Sequence, residues 1–168
     1  MARRRAREFA LQALFQVDLA GTTGREALRA LWAGQLDLEG VVEAPRPAEP
    51  DEIEFAESLV LGVEKRRAEV DPLIEGASQN WRLVRMPVVD RNILRLAAYE
   101  LLTCPEVPAS VSINEAVELA KRFGDKESKS FVNGILDRIA GVTGRGGRKN
   151  HPPAAPKPAP GTGDRRGD

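Results

Sequence analysis

The stretch PVVDRNILRLAAYELL, residues 87–102, carries the densest apolar pattern of this 168-residue chain. Its apolar side chains recur at helical spacing and cover most of the helix circumference: Ile93, Leu94, Leu96, Ala97, Ala98, Leu101 and Leu102. A helix that is apolar nearly all round is a buried helix. Pro87 suits its start, because proline is tolerated in the first helical turn. The stretch therefore predicts a largely buried helix.

Helical spacing continues along most of the chain on both sides of this stretch. We predict a first helix through Val17, a short helix over 24–33, a longer helix opened by Asp51 and Glu52, and a last helix over about 128–140. Three prolines and alternating charge predict a loop over 40–50. We find no β-strand pattern and no fixed-period repeat, so the predicted fold class is all-α.

Two short signals predict further helix starts. Asp71–Pro72 has the form of a capping aspartate followed by proline in the first helical position, with a helical stretch running on through Trp81 towards Met86. Ser112 with Glu115 has the spacing of a capping box.

The composition changes after Gly141, where glycine, proline, alanine and arginine dominate. Such a segment has almost nothing to bury. We therefore expect one helical domain over 1–141 and a disordered basic tail over 142–168. No apolar run is long enough to span a membrane, and no signal peptide pattern is present, so the expected location is cytoplasmic.

Catalytic and metal-binding signals are weak. Cys104 is the only cysteine, and His151, the only histidine, lies among prolines. A zinc site and the usual histidine-based catalytic pairs are thereby excluded from the body of the chain. The sequence contains no phosphate-binding loop, dinucleotide fingerprint or nucleophile elbow. The sequence therefore predicts no enzyme, no metal and no cofactor.

Positive charge is concentrated at the N-terminus of the first helix. Residues 1–7 hold four arginines and no acid, residues 141–168 carry a net charge of +4, and the body between them is −8 in a chain that is neutral overall. A helix N-terminus favours acidic residues, so folding alone would not select these arginines. A bound polyanion such as RNA or DNA explains them, because guanidinium groups pair with phosphates; the alternative is a solvated basic tail. The four arginines are Arg3, Arg4, Arg5 and Arg7.

An aromatic residue beside lysines marks a second candidate surface. Phe131 lies at the shoulder of the apolar stripe of the last helix, with Lys126 and Lys129 near it and Ser128 to Ser130 offering donors at a helix start. Such an arrangement is a platform for an unstacked base and its phosphate. The alternative is that Phe131 closes the edge of the core while the lysines are solvated.

The first helix carries a second apolar stripe of Leu11, Phe15 and Leu19, opposite to the one that contains Phe9. One interpretation is a central helix that packs on two faces. The other is an exposed strip for a protein partner, with Phe15 at its centre. Such a strip would also invite a homodimer that hides the RNA edge.

Three blocks of the sequence resemble the NusB family of transcription antitermination factors. They are RRRAREFALQALFQVD at 3–18, RMPVVDRNILRLAAYELL at 85–102 and VSINEAVELAKRFGDKESKSFVNGILDRI at 111–139. The blocks keep their order and spacing, and the resemblance covers roughly residues 3–140.

The resemblance implies an all-α fold of about seven helices in two small packed bundles. It also implies an antitermination factor that binds boxA-type single-stranded RNA of nascent rRNA transcripts together with ribosomal protein NusE. The complex includes other Nus factors and RNA polymerase, and no catalysis is involved. The alternative is a stand-alone NusB-like RNA-binding or protein-interaction module that acts with an rRNA methyltransferase.

The resemblance also assigns residues. Arg3, Arg4, Arg5 and Arg7 fall on the family's arginine-rich RNA-binding stretch, and Phe123, Glu127 and Phe131 fall in its second RNA-contacting region. Phe15 and Asp90 match positions at the NusE-facing side. The chain departs from the family in the proline-rich 43–52 segment and in Val84, where an acidic side chain is expected.

Overall fold

The helix predicted from residues 87–102 forms the centre of the structure, a computed structural model that describes residues 2–34, 47–79 and 81–145. Pro87 precedes it, and the helix runs over Val88–Thr103. Its buried side chains lie on every turn from Asp90 to Leu101, so it presents no continuous solvent face. The predicted burial of this helix is confirmed.

The described residues form seven α-helices, one short 3₁₀ helix and no β-strand. The helices are α1 Ala2–Ala20, α2 Gly24–Trp32, α3 Pro50–Lys65, α4 Arg67–Ala77, α5 Val88–Thr103, α6 Ala109–Phe123 and α7 Ser128–Val142. The prediction of an all-α fold is confirmed. Part of the loop predicted over 40–50, namely 40–46, lies outside the described residues.

The helices pack in two groups that share α5. Helices α1, α2 and α3 contact one another, and α4 to α7 form the second group. Helices α1 and α3 also lie against α5, so one apolar core runs through both groups.

Two sets of ion pairs hold α1 along α5. Near the N-terminus of α1, Arg7 pairs with Glu100. Near its C-terminus, the carboxylate of Asp18 accepts hydrogen bonds from Arg91 at 2.6 and 2.8 Å, from Asn92 at 3.1 Å and from Arg95 at 3.2 Å. Burial opposes ionisation of Asp18, but these donors lower its pKa below the ordinary value. Helix α1 is therefore fixed on α5 at both of its ends.

The helix start predicted at Asp71–Pro72 is wrong. Helix α4 begins at Arg67, so Pro72 lies inside it and Asp71 is too far along to cap its N-terminus. The Asp71 carboxylate instead accepts hydrogen bonds from Arg67 at 3.1 Å and from Arg95 of α5 at 2.9 Å. The local sequence alone does not distinguish an aspartate that makes these ion pairs from one that caps a helix start, which is why the prediction failed.

The helical stretch predicted through Trp81 is also wrong. Gln79 takes a left-handed backbone conformation with φ of 49°, which a helix cannot continue through. The Ser78 hydroxyl contacts the carbonyl oxygens of Glu75 and Trp81 at 2.9 and 2.7 Å, which closes the end of α4. Only a 3₁₀ turn, Leu83–Arg85, follows before α5.

The predicted capping box at Ser112 does not form, because α6 begins earlier, at Ala109 after Pro108. Ser112 lies buried within the helix. Glu115 does not bond back to the helix start but pairs with Arg4 of α1. The proline provides the start, since its fixed φ suits the beginning of a helix.

The folded chain continues past the domain boundary expected at 141. The Arg145 guanidinium donates to the carbonyl oxygens of Leu101 at 3.1 Å, Cys104 at 3.3 Å and Val107. These carbonyls lie at the end of α5 and in the α5–α6 loop, where helical partners are lacking. We therefore propose that the folded domain extends to Arg145. The remaining part of the expected tail, 146–168, lies outside the described residues.

Arg145 provides a test of this boundary. Arg145→Ala should lower the free energy of unfolding by about 2 kcal/mol, because three carbonyl groups lose a charged donor. A chain that ends at Arg145 should melt like the full-length protein, whereas one that ends at Gly141 should melt earlier. Thermal melts followed by circular dichroism measure all three, and equal melting points for the two truncated chains would contradict the boundary.

Candidate functional site

The arginines at the start of α1 do not form one uniform basic surface. The helix has no acidic residue in its first turn, as the sequence indicated. However, three of the four guanidinium groups make ion pairs with glutamates from other helices. Their exposure divides them into an inner pair, Arg5 and Arg7, and an outer pair, Arg3 and Arg4.

Arg7 lies in the interior, where only 4% of its surface is exposed. Its Nη2 atom is 2.6 Å from Oε1 of Glu100, and its Nε atom is 3.0 Å from Oε2. Glu100 is itself 1% exposed, so two charges compensate each other inside the protein. Arg7 is thus a structural contact between α1 and α5; that it also binds RNA stays a prediction, and its side chain borders the cavity that Arg3 and Arg4 line.

Arg5 makes a similar inward contact. Its Nη1 atom is 3.0 Å from Oε2 of Glu52, a fully buried carboxylate of α3. Its guanidinium also lies 5.0 Å from the centre of the Phe9 ring. Glu52 in turn accepts a hydrogen bond from the backbone N–H of Glu49 at 2.8 Å. Arg5 thus contributes to holding the start of α3 against α1.

Arg3 and Arg4 are the exposed members of the cluster. Arg4 makes two hydrogen bonds of 3.0 Å to Glu115 of α6, which raise the pKa of Arg4 and lower that of Glu115. The Arg3 guanidinium lies 4.9 Å from the centre of the Phe55 ring. Both arginines line an open cavity of about 480 Å³ together with residues of the α5–α6 loop and α6. This cavity is where the outer arginines can meet a ligand.

The second apolar stripe of α1 divides along its length. Leu11 is buried, Phe15 is half-buried and Leu19 is 59% exposed.

Phe15 lines an open cleft of about 150 Å³ with Val89 and Phe123. Beside the cleft, Arg122 pairs with Glu8, and its guanidinium lies 5.0 Å from the centre of the Phe123 ring. The structure thus brings Phe123 to Phe15 and not to Phe131.

Phe131 contributes to a different pocket, an open cavity of about 600 Å³. Its ring meets that of Trp81 edge-on, with centroids 5.9 Å apart and planes at 64°. Trp81 is 54% exposed. Trp81 was not among the predicted site residues, because its sequence context predicts a helix, although a tryptophan outside any helical apolar pattern is a sign of a binding surface. The remaining residues that line the pocket are Pro87, Asp90, Asp125, Lys126, Glu127 and Ser130.

Asp90 is the buried polar residue of this pocket. It is 3% exposed, and its Oδ1 atom has no hydrogen-bond partner. Burial raises the pKa of Asp90, and the nearby Asp125 adds to the effect, while Ser128 opposes it. The family resemblance implies that Asp90 and Phe15 lie on one NusE-facing side, which stays a prediction. In the structure the preceding residue, Val89, lines the Phe15 cleft, and Asp90 lines the Phe131 pocket.

A hydrogen-bonded turn builds the rim of the pocket. Oδ1 of Asp125 accepts hydrogen bonds from the backbone N–H of Glu127 at 2.9 Å and from the Ser128 hydroxyl at 3.2 Å. The Ser128 hydroxyl accepts one from the backbone N–H of Asp125 at 2.9 Å. Ser128 is therefore occupied by the turn, contrary to its predicted role as a ligand donor. The turn leaves the side chains of Lys126, Glu127 and Lys129 exposed.

Other kinds of site find little support. Within residues 2–34, 47–79 and 81–145, no group of histidine, cysteine, aspartate and glutamate side chains could hold a metal ion. None of the helices in these ranges has the length and apolar character needed to cross a bilayer. Burial raises the pKa of Cys104, which keeps its thiol protonated and unreactive.

Known proteins similar to this chain are found over most of its length. The NusB family profile matches residues 4–141. The chain is 51% identical over 139 residues to the transcription antitermination protein NusB of Myxococcus xanthus, a match that covers 83% of this chain and 94% of that protein. It is 46% identical over 144 residues to the protein of the same name from Sorangium cellulosum, covering 86% and 95% of the two chains.

Solved structures give the same result for the fold. The NusB structure of T. maritima superposes with a TM-score of 0.70 at 38% identity and covers 83% of this chain and 90% of that one. A crystal structure of the antitermination factors NusB and NusE in complex with double-stranded RNA matches with a TM-score of 0.71 at 26% identity, covering 84% and 97%. Because sequence and fold match over nearly all of the described residues, the chain belongs to the NusB family.

Proposed function

We propose that this protein is a transcription antitermination factor that binds boxA-type single-stranded RNA of nascent rRNA transcripts together with ribosomal protein NusE. The names of its relatives support antitermination, and the solved complex of NusB, NusE and RNA supports a joint protein–RNA assembly. The same proposal includes other Nus factors and RNA polymerase as members of the complex.

The exposed pair Arg3 and Arg4 is the observation that carries the RNA-binding part of the proposal. Both cations lie in the first turn of α1, where the helix dipole also favours an anion. The Arg4–Glu115 pair is largely exposed on the arginine side, so water and salt weaken it. A phosphate group can therefore replace Glu115 at modest cost.

The charge distribution supports a confined contact. The body of the chain carries a net charge of −8, and it would repel a polyanion that covered the whole surface. Arg5 and Arg7 are already neutralised by buried glutamates. RNA contact is thus limited to the outer end of α1 and to the lysine-bearing rim near Phe131.

The cleft of Phe15 and Phe123 is our proposed contact for NusE. It presents partly exposed aromatic rings next to Val89, beside the charged pair of Glu8 and Arg122. Aromatic side chains in a shallow cleft with a polar rim are typical of the centre of a protein interface.

The RNA contact can be tested through its salt dependence. Each phosphate neutralised on a single strand contributes about −0.7 to the slope of log K against log salt concentration. The double variant Arg3→Ala, Arg4→Ala should therefore bind boxA-type RNA more weakly and with a slope shallower by about 1 to 1.5. Fluorescence anisotropy titrations over a series of salt concentrations give both quantities.

A matched control removes the same charge elsewhere. Arg66 and Arg67 lie at the start of α4 and pair with Glu69 and Asp71. Their double alanine variant should leave the slope unchanged. If both double variants changed affinity and slope equally, net charge rather than the α1 arginines would account for RNA binding.

The NusE contact can be tested at Phe15. Because Phe15 is only half-buried in an open cleft, Phe15→Ala should weaken binding of purified NusE at least tenfold and barely change the melting point. Phe9→Ala is the control: Phe9 is 3% exposed and packs on Trp32, so its loss should cost about 3–5 kcal/mol of stability. A large loss of stability in Phe15→Ala with unchanged NusE affinity would assign Phe15 to the core.

A further inference from the structure

We propose that the basic terminal segment, residues 146–168, binds the sugar–phosphate backbone of single-stranded RNA that flanks the boxA segment. This inference rests on the proposed RNA-binding function and adds to it a second contact outside the folded domain. Two features of the folded domain carry it. The chain leaves α7 at a fixed point, and this point is tied to the loop that borders the cavity of Arg3 and Arg4.

The end of α7 is a Schellman motif, which stops the helix and turns the chain. Gly144 takes a left-handed backbone conformation with φ of 72°, and its N–H donates to the carbonyl oxygen of Gly141 at 3.4 Å. The N–H of Arg145 donates to the carbonyl oxygen of Ala140 at 2.8 Å. These are the two hydrogen bonds by which such a motif closes a helix, and glycine suits its left-handed position. The backbone is therefore defined as far as Arg145.

The Arg145 side chain fastens this point to the α5–α6 loop. Its guanidinium donates to three carbonyl oxygens at the end of α5 and in the loop, among them that of Val107. Val107 also lines the open cavity of about 480 Å³ that Arg3 and Arg4 line. One loop residue thus connects the start of the terminal segment with the surface proposed for phosphate.

The terminal segment carries the charge that a polyanion requires. It holds five basic and two acidic residues, whereas the body of the chain has a net charge of −8. Arg148 and Lys149 follow Arg145 by three and four residues, and both acids, Asp164 and Asp168, come near the far end. Because a chain spans at most about 3.5 Å per residue, the α-carbons of these two cations cannot be further than about 14 Å from that of Arg145. They can therefore meet an RNA strand that continues from the cavity.

The alternative occupant of these cations is the acidic surface of the folded domain. At the cavity that surface consists of Glu106 and Glu115, and Glu115 already pairs with Arg4. An exposed ion pair between side chains contributes little, since water and salt weaken it. A contact with an RNA phosphate gains in addition from the counterions that the polymer releases. The balance favours RNA, and the contact should not depend on base sequence, because phosphates carry none.

The experiment compares boxA RNA alone with boxA RNA extended on both sides by about ten nucleotides of unrelated sequence, a length within the range of basic single-strand sites. Fluorescence anisotropy over a series of salt concentrations gives the affinity of the full-length protein and its variants for both RNAs. The quantity that tests the terminal segment is the ratio of the affinity for the extended RNA to that for boxA alone. The affinity for boxA alone tests the proposed function.

The double variant Arg148→Ala, Lys149→Ala removes the two cations nearest to Arg145. It should lower the ratio about tenfold and make the salt slope for the extended RNA shallower by about 1.4, twice the contribution of one phosphate. Binding of boxA alone should stay within about twofold, because the α1 arginines are unchanged.

The matched control is Arg165→Ala, Arg166→Ala, which removes the same charge 20 residues beyond Arg145. It should lower the ratio by no more than about threefold, because a longer connection lowers the effective concentration of the groups that it carries.

Arg145→Lys tests the fixed exit of the chain. Lysine keeps the charge but lacks the planar fork that donates to several carbonyl groups at once. The ratio should fall by about threefold at a temperature well below the melting point, since the terminal segment is held less closely to the cavity. Circular dichroism shows that the variant is folded at that temperature. An unchanged ratio would overturn the role of Arg145 in placing the segment.

Two further results would overturn the proposal. Equal losses for the two RNAs, or equal losses in the two double variants, would mean that overall charge accounts for the effect. Unchanged or tighter binding of the extended RNA by Arg148→Ala, Lys149→Ala would assign these cations to the acidic surface of the domain. Binding of boxA alone that depends on Arg3 and Arg4 can persist in every such case, so failure of this proposal is distinguished from failure of the proposed function.

Discussion

The guanidinium of Arg7 and the carboxylate of Glu100 meet in the interior between α1 and α5, and the orientation of α1 depends on this pair. Removing one partner of a buried ion pair costs about 3–5 kcal/mol, because the other charge remains unpaired away from water. The Arg7–Glu100 pair and the pairing of Asp18 with Arg91 at the far end of α1 together leave this helix little freedom to rotate. This constraint directs Arg3 and Arg4 outwards and aligns Phe15 with Val89 and Phe123.

The α1 arginines therefore divide between folding and recognition. Arg5 and Arg7 have buried glutamate partners, and their charge stabilises the contacts of α1 with α3 and α5. Arg3 and Arg4 remain accessible, and Arg4 pairs at 3.0 Å with Glu115, which is itself partly exposed. A cluster that looks uniform in sequence thus has an inner half that maintains the shape of the surface and an outer half that we propose as the RNA contact.

The sequence predicts well those features that depend on neighbouring residues. The apolar circumference of α5 predicts its burial, and the last helix predicted over about 128–140 is found as α7. The errors arise where a residue's partner is distant along the chain. Asp71 looks like a helix cap in the sequence because its contact with Arg95, 24 residues further along the chain, cannot be predicted from the neighbouring residues. The burial of Arg7 could not be predicted either, because its partner Glu100 lies 93 residues away. Trp81 has no periodic pattern, and only the fold brings it to Phe131.

The most direct test of this account is NMR observation of the arginine side-chain Nε–Hε groups with and without boxA-type RNA. The Arg7 signal should be protected from solvent exchange in the free protein and should not shift when RNA binds, because Arg7 stays paired with Glu100. The Arg4 signal should shift as phosphate replaces Glu115. A large shift of Arg7 with loss of protection, while Arg4 is unaffected, would contradict the division between the inner and outer arginines.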